Sequence, residues 1–411
     1  MAMSDRVVVI GAGHAGGYVV AELRHAGYAG EIVLIGDESL LPYERPPLSK
    51  AWLKSDQPHA VLLRPPAFWE QSGIKVHLSS RATEIQREAR RVLLADGQRI
   101  AYDKLVIATG SRPRRLLANG ADNPLLKPHL HELRSADDAD RLRAALGQGR
   151  RIAIIGGGYI GLEVAASARA LGVKAVVLER EARVLARVAH PALSQFIADY
   201  HRDRGVDILT GVELADFEVD AKGFAGVRLI DGRLVPSDCV LVGIGAVPND
   251  DLARAAGIEC AQGVSVDLDG RTSDPAIYAI GDVAWRPVPR YDRFNRLESV
   301  PNAMEMARRV AARITANPAP APEVPWFWSD QFDLKLQIAG LTSPADAVVV
   351  RGDPALARFA LFHLRGDVLQ AVEAVNAPPE FVIGRQLIAE QRPVDPARLA
   401  DPRVPMKAVA V

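Results

Sequence analysis

Cysteine is nearly absent from this chain. It has two in 411 residues, Cys239 and Cys260, and neither a C-x-x-C nor a C-x4-C spacing. That count excludes a cysteine-held iron–sulfur cluster or cysteine zinc site, so no metal is expected. It also argues against a disulfide built for structure in a reducing compartment. A net charge is missing too. Lys+Arg and Asp+Glu stand at 50 each, and the pI is about 7.1, so no overall basic field recruits nucleic acid. No apolar run approaches the roughly 20 residues that cross a bilayer. The first strand pattern begins at Val7, which leaves no room for a signal peptide. The expectation is a cytoplasmic protein that uses neither membrane nor nucleic acid.

What is present is glycine in a repeated grammar. Val7–Ile10 is followed by Gly11-Ala12-Gly13-His14-Ala15-Gly16, and Arg151–Ile155 by Gly156-Gly157-Gly158-Tyr159-Ile160-Gly161. In a strand–G-x-G-x-x-G–helix unit the first glycine allows the tight turn. The second lets a pyrophosphate reach the main chain, and the third lets the helix pack on the strand. Helices are expected at Gly17–His25 and Leu162–Leu171. Each is followed by a strand, Ile32–Ile35 and Lys174–Leu178, that ends near an acid. Asp37 and Glu179 stand where a carboxylate accepts the hydroxyl protons of an adenosine ribose. An acid at Glu179 favours NAD over NADP, although Arg180 and Arg183 follow closely. Two such units point to two dinucleotide sites. A chain of 411 residues exceeds one ordinary core, in keeping with two or three domains.

Between the loops lies Leu41-Pro42-Tyr43-Glu44-Arg45-Pro46-Pro47-Leu48-Ser49-Lys50, whose prolines set an extended backbone. Ser49 is expected to cap a helix carrying Lys50. Two apolar strands end in glycine turns, Val106–Gly110 with Thr109, and Asp238–Gly245. The second reads as the chain re-entering the first domain. Thr272–Pro275 leads to Gly281-Asp282, where an aspartate just past a strand suits a ribityl chain. A helix follows from Glu298–Asn302 through Ile314. Asn119–Pro128 reads as a loop and Asn317–Pro325 as a linker. After the linker come four strand patterns and a helix near Phe381–Glu390.

These motifs, together with Trp326-Phe327-Trp328-Ser329-Asp330-Gln331, occur in an order that resembles the FAD-dependent ferredoxin reductases of bacterial oxygenase systems. The resemblance implies an α/β protein with two Rossmann-like dinucleotide-binding domains of the glutathione-reductase type plus a small C-terminal α+β domain. The FAD domain would span 1–115 and 245–320, the NAD domain 116–244 and the C-terminal interface domain 321–411. It implies that Ala15, Asp37, Lys50, Ala82, Arg134, Asp282 and Val300 contact FAD, with Gly11, Gly13, His14, Gly16 and Thr109 in the same cofactor set. NADH would lie on Gly156, Gly158, Tyr159, Ile160, Gly161 and Glu179.

The expected activity is passage of a hydride from NADH to FAD, then of single electrons to a two-iron two-sulfur ferredoxin that feeds a haem monooxygenase or a ring-hydroxylating dioxygenase. Lys50 and Glu163 are the candidate catalytic pair, with Glu163 expected in the first helical turn, where the helix dipole favours its charge. Trp328 is expected near the flavin and under the ferredoxin. Arg308 and Arg309 would form a local basic docking patch, on a monomer or weak dimer. Other readings are a disulfide reductase, an NADH oxidase or peroxidase, a rubredoxin reductase, and an NADH-sensing flavoprotein of the apoptosis-inducing-factor kind. The first fails for want of a redox cysteine pair. The second needs a catalytic cysteine near residue 42, where Pro42-Tyr43 stands.

Overall fold

A computed structural model describes residues 5–116, 124–220 and 223–411. The chain forms two compact units, each discontinuous in sequence. The first comprises the chain up to Glu44, Ala60–Arg112 and Val247–Pro325. The second comprises Arg45–His59, Pro113–Ala246 and Trp326–Val411. The loop expected at Asn119–Pro128 lies partly outside the described residues.

The first unit is built on a parallel five-stranded sheet in the order Ile277–Ala279, Lys104–Ile107, Arg6–Ile10, Glu31–Ile35, Ile74–His77. The central strands read Val-Val-Val-Ile and Ile-Val-Leu-Ile because both faces of a parallel sheet are covered. Every one of those side chains is buried. Helices His14–His25 and Val300–Ile314 pack against each other. An antiparallel sheet, Ala82–Gln86, Arg91–Leu94 and Arg99–Ala101, adds to the same unit.

The second unit repeats the plan. Its parallel sheet runs Val206–Thr210, Lys174–Glu179, Arg151–Ile155, Cys239–Val242, Leu130–His131. It also carries an antiparallel sheet of five strands in the order Trp326–Gln331, Leu334–Gly340, Val368–Val375, Arg358–Arg365, Ala347–Asp353. Helix Pro378–Glu390 packs on that sheet, where Gly384 lets it approach Val372 and Phe362. Two Rossmann-like folds and a small C-terminal α+β domain are therefore present.

Three local expectations are corrected. The glycine-loop helices begin at His14 and Tyr159, each three residues before the expected start, because the third glycine lies inside the helix. Glu163 is consequently the fifth residue of its helix, past the first turn, and its charge is stabilised by side chains instead of by the dipole. Ser49 caps no helix. Pro46–Ser49 is a 3-10 turn, and Lys50 is the joint between it and the short helix Ala51–Lys54. Among the described residues no helix is long and apolar enough to cross a membrane.

The first unit contains a buried ion pair. Arg286 donates to both carboxylate oxygens of Glu305, each at 3.0 Å, and to the side-chain Oδ1 of Asn302 at 2.9 Å. Removing one partner of such a pair strands the other charge in a dry core. Arg286→Ala should lower stability by about 3–5 kcal/mol, measured as the shift in the denaturant midpoint of this unit. A loss below about 1 kcal/mol would mean the pair behaves as a surface bridge.

Candidate dinucleotide sites and a buried carboxylate

In the first unit Gly11 has φ +111, and a Cβ there would strike the Ala108 carbonyl. A Cβ on Gly16 would strike the Gly11 carbonyl, so the third glycine sets how closely the helix meets the turn. Gly13 is the N-cap and offers no side-chain cap, which leaves the first-turn N–H groups of His14–His25 for an anion. Gly281, at φ +74, fits between first turns: a Cβ there would lie 2.8 Å from the Ala15 Cβ and 4.0 Å from that of Ala303. The positive ends of helices His14–His25 and Val300–Ile314 thus flank Gly281-Asp282. Asp282 accepts a hydrogen bond from the Ser111 hydroxyl at 3.1 Å. These features suit the pyrophosphate and polyol chain of an FAD.

The other residues of that set occupy varied positions. Asp37 is exposed just past its strand, and the neighbouring Glu38 accepts from the Tyr43 hydroxyl at 2.6 Å. His14 pairs with Glu44 at 3.3 Å and holds the Glu44 carboxyl below the usual range. The Thr109 hydroxyl donates to the Asn249 carbonyl at 2.7 Å, which ties two strand exits together. Ala82 is buried at the start of a strand, and Val300 is the first residue of its helix, after the Ser299 cap. Arg134 belongs to the second unit, where its carbonyl accepts from Arg45 at 2.7 Å.

In the second unit Gly156 has φ +109 against the Gly243 carbonyl, and Gly161 lies against the Gly156 carbonyl, as in the first loop. Gly158 faces open space, and a side chain there would fill the cradle. The Glu179 carboxylate accepts from the N–H of Gly157 at 2.7 Å and of Glu181 at 2.8 Å, which fixes the loop beneath it. Arg183 is spent on the Ala186 and Ala189 carbonyls and the Ser194 hydroxyl, so it is not presented to a 2′-phosphate. Arg180 is exposed beside Glu181. The residues fit NAD(H). Ile160 is half exposed. Tyr159 is half-buried, edge-on to Phe327 at 4.7 Å, and burial of its hydroxyl holds the phenol well above the usual range.

Glu163 lies 4% exposed in the same helix, surrounded by donors. Its Oε2 accepts from Ser49 Oγ at 2.5 Å and Lys50 Nζ at 2.7 Å, and its Oε1 from Ser329 Oγ at 2.6 Å. Lys50 also donates to the Pro46 carbonyl at 3.2 Å. The Ser167 hydroxyl donates to the Ser49 carbonyl at 2.7 Å and pins the segment. Sequence reasoning missed Ser49, Ser329, Gln331 and His201. The signal available was the S-x-Q alternation: two polar residues that follow Phe327 on one face of the strand.

Trp328 is partly buried, with its ring 5.8 Å from Trp326. The expected basic patch is corrected. The Arg309 side chain is 5% exposed and holds the Leu268 and Pro320 carbonyls and Asp269, so it cannot meet a partner. Arg308 is one-third exposed and paired with Glu323. Neither cysteine forms a disulfide. Burial pushes the Cys239 thiol up to about 12 and raises that of Cys260.

The model for the pyridine nucleotide-disulphide oxidoreductases matches residues 5–307, and the reductase C-terminal model matches 326–410. A probable ferredoxin reductase, CtmF, of Castellaniella defragrans is 49% identical over the full length of both chains. The reductase in a crystal structure of the covalent putidaredoxin reductase–putidaredoxin complex is 40% identical, with a TM-score of 0.95 over 98% of each chain. The ferredoxin reductase for the CYP199A2 system of Rhodopseudomonas palustris is 42% identical, with a TM-score of 0.94 over 99% of this chain and 100% of that one.

Two buried histidines of the second unit set a pH dependence. Burial pushes both His131 and His201 down to about 4. The unfolded state, titrating near 6.5, therefore binds more protons between about pH 6.5 and 4, so stability is lost as pH falls through that window. At pH 5 each histidine should cost about 2 kcal/mol relative to pH 7.5. His201→Asn should flatten the slope, read by denaturant unfolding at both pH values. An unchanged slope would show that His201 is protonated in the fold.

Proposed function

The chain belongs to the pyridine nucleotide-disulphide oxidoreductase family, and from this we propose an FAD-dependent NADH:ferredoxin reductase that feeds an oxygenase. The observation that carries this reading is two glycine-loop cradles in a chain whose only cysteines are an inert buried thiol and a lone second one. Electrons taken from a nicotinamide have no internal dithiol to enter and must leave to an outside acceptor. Bound FAD supplies the conversion of a two-electron hydride into single-electron steps. The full-length likeness to a reductase solved in complex with putidaredoxin supports a small iron–sulfur protein as that acceptor.

The residues divide the work. Gly11, Gly13, His14, Ala15 and Gly16 present backbone N–H groups to the FAD pyrophosphate, Asp37 takes its ribose and Asp282 its ribityl chain, with Ala82, Thr109, Arg134 and Val300 as further contacts. Gly156, Gly158, Tyr159, Ile160 and Gly161 receive the NADH pyrophosphate, and Glu179 the adenosine ribose. A 2′-phosphate meets the Glu179 carboxylate and finds Arg183 already engaged, which favours NADH. Lys50 brings positive charge to the flavin's reactive edge, and Glu163 holds Lys50 in place. Trp328 lies beneath the docked ferredoxin.

NADH-driven reduction of a panel of purified two-iron two-sulfur ferredoxins should give turnover with at least one member, and NADPH should give a kcat/KM at least about tenfold lower. Reduction of rubredoxin alone would replace this reading with a rubredoxin reductase. A long-lived NADH complex that reduces neither would favour a sensor.

Arg308 is the remaining candidate for electrostatic docking. Arg308→Glu should slow association with an acidic ferredoxin about tenfold at low ionic strength, with the difference closing as salt is added. Equal rates for variant and wild type at low salt would place docking elsewhere.

A further inference from the structure

Glu163 is the end of a chain of hydrogen bonds that all point toward it. Gln331 and Ser329 alternate on the inward face of strand Trp326–Gln331, and both are buried. The Gln331 Nε2 donates to Ser329 Oγ at 3.1 Å, so the Ser329 proton is directed to Glu163 Oε1 at 2.6 Å. With its amide nitrogen spent in that way, Gln331 presents its carbonyl oxygen to His201 Nε2 at 2.9 Å. A carbonyl only accepts, so His201 carries its proton on Nε2. Its Nδ1 is buried without a partner among the described residues, which a neutral ring tolerates better than a protonated one. Burial holds His201 at about 4, which agrees with a neutral ring. Helix Pro191–Asp203 fixes the ring, which is 0% exposed and lies edge-on to Phe332 at 5.0 Å.

We propose that Ser329, Gln331 and His201 are positioning residues: together with Ser49 they form a one-way chain of donors that locks Glu163 as an acceptor for the Lys50 ammonium. The primary amide of Gln331 cannot take a proton on one side and release it on the other without changing its bonding. The chain therefore clamps charge and does not conduct protons. A buried carboxylate is tolerable when charge-assisted donors surround it, and each such donor contributes more than a neutral hydrogen bond. Lys50 and His201 are the titratable groups on this chain, and Ser49, Ser329 and Gln331 are neutral. Tyr159, one turn earlier on the Glu163 helix, is a phenol raised well above its usual range by burial and by Glu373. The proposal rests on the reading of Lys50 and Glu163 as the pair serving the flavin.

The test is infrared spectroscopy of the full-length holoenzyme at one mildly acidic pH, with no ferredoxin present. The carboxylic-acid C=O band that disappears in Glu163→Gln reports protonated Glu163. Ser329→Ala should raise the ratio of protonated to ionised Glu163 about tenfold, and Ser329→Thr, which keeps the hydroxyl, should restore the wild-type spectrum. Gln331→Leu should give a smaller rise. Ser49→Ala removes a donor from the opposite oxygen and should repeat the Ser329→Ala result if that variant fails to fold. Wild-type spectra in both alanine variants would overturn the clamp, and a wild-type spectrum in Gln331→Leu would overturn its extension to His201. Failure to reduce any ferredoxin, with the infrared result as expected, would sink the reductase reading and leave the clamp standing.

Discussion

A carboxylate buried to 4% exposure is the constraint on which the second unit depends. An ionised group removed from water costs several kcal/mol unless its surroundings replace the lost hydration. Glu163 meets that demand with donors from two remote stretches of sequence. Ser49 and Lys50 come from the proline segment, Ser329 from the first C-terminal strand, and the carboxylate itself from the helix of the second glycine loop. One side chain thereby fixes the register of a turn, a helix and a sheet. The proline run explains how the turn is kept: Pro46 and Pro47 hold a 3-10 turn whose last residue, Ser49, aims its hydroxyl at Glu163.

Much of the architecture was legible in the sequence because glycine and β-branched residues do local jobs. Gly11 and Gly156 need positive φ, Gly16 and Gly161 need the absence of a Cβ, and Val7–Ile10 and Ile152–Ile155 need burial. Those demands are met within about ten residues of chain, so spacing alone exposes them. The pairing of Lys50 with Glu163 could be suspected from the motifs. The rest of the network could not, because the contacts that tie Ser329 to Glu163 and Gln331 to His201 join residues more than a hundred positions apart with no motif to link them. Ser49 illustrates the limit: a serine after prolines reads as a helix cap, and tertiary structure gave its hydroxyl a different acceptor.

Arg308 and Arg309 make the same point about surfaces. Adjacent arginines on a helix point in directions about 100° apart, so two neighbours seldom share one face. Arg309 turned inward to bind carbonyl groups and Asp269, and Arg308 stayed at the surface with Glu323. Arg183 follows the same logic beside Glu179. A basic residue near a nucleotide loop is a phosphate reader only if its donors are uncommitted, and these are spent on carbonyls of its own loop.

Because the account rests on Lys50 and Glu163 acting as one unit, the most direct measurement is stopped-flow mixing of NADH with Lys50→Met and following the loss of FAD absorbance. On the proposed reading, removing the ammonium takes the counter-charge from Glu163 and positive charge from the flavin's surroundings. The account predicts a bleaching rate lower by about 10²-fold together with a shifted FAD midpoint potential. A wild-type rate and an unchanged potential would contradict it.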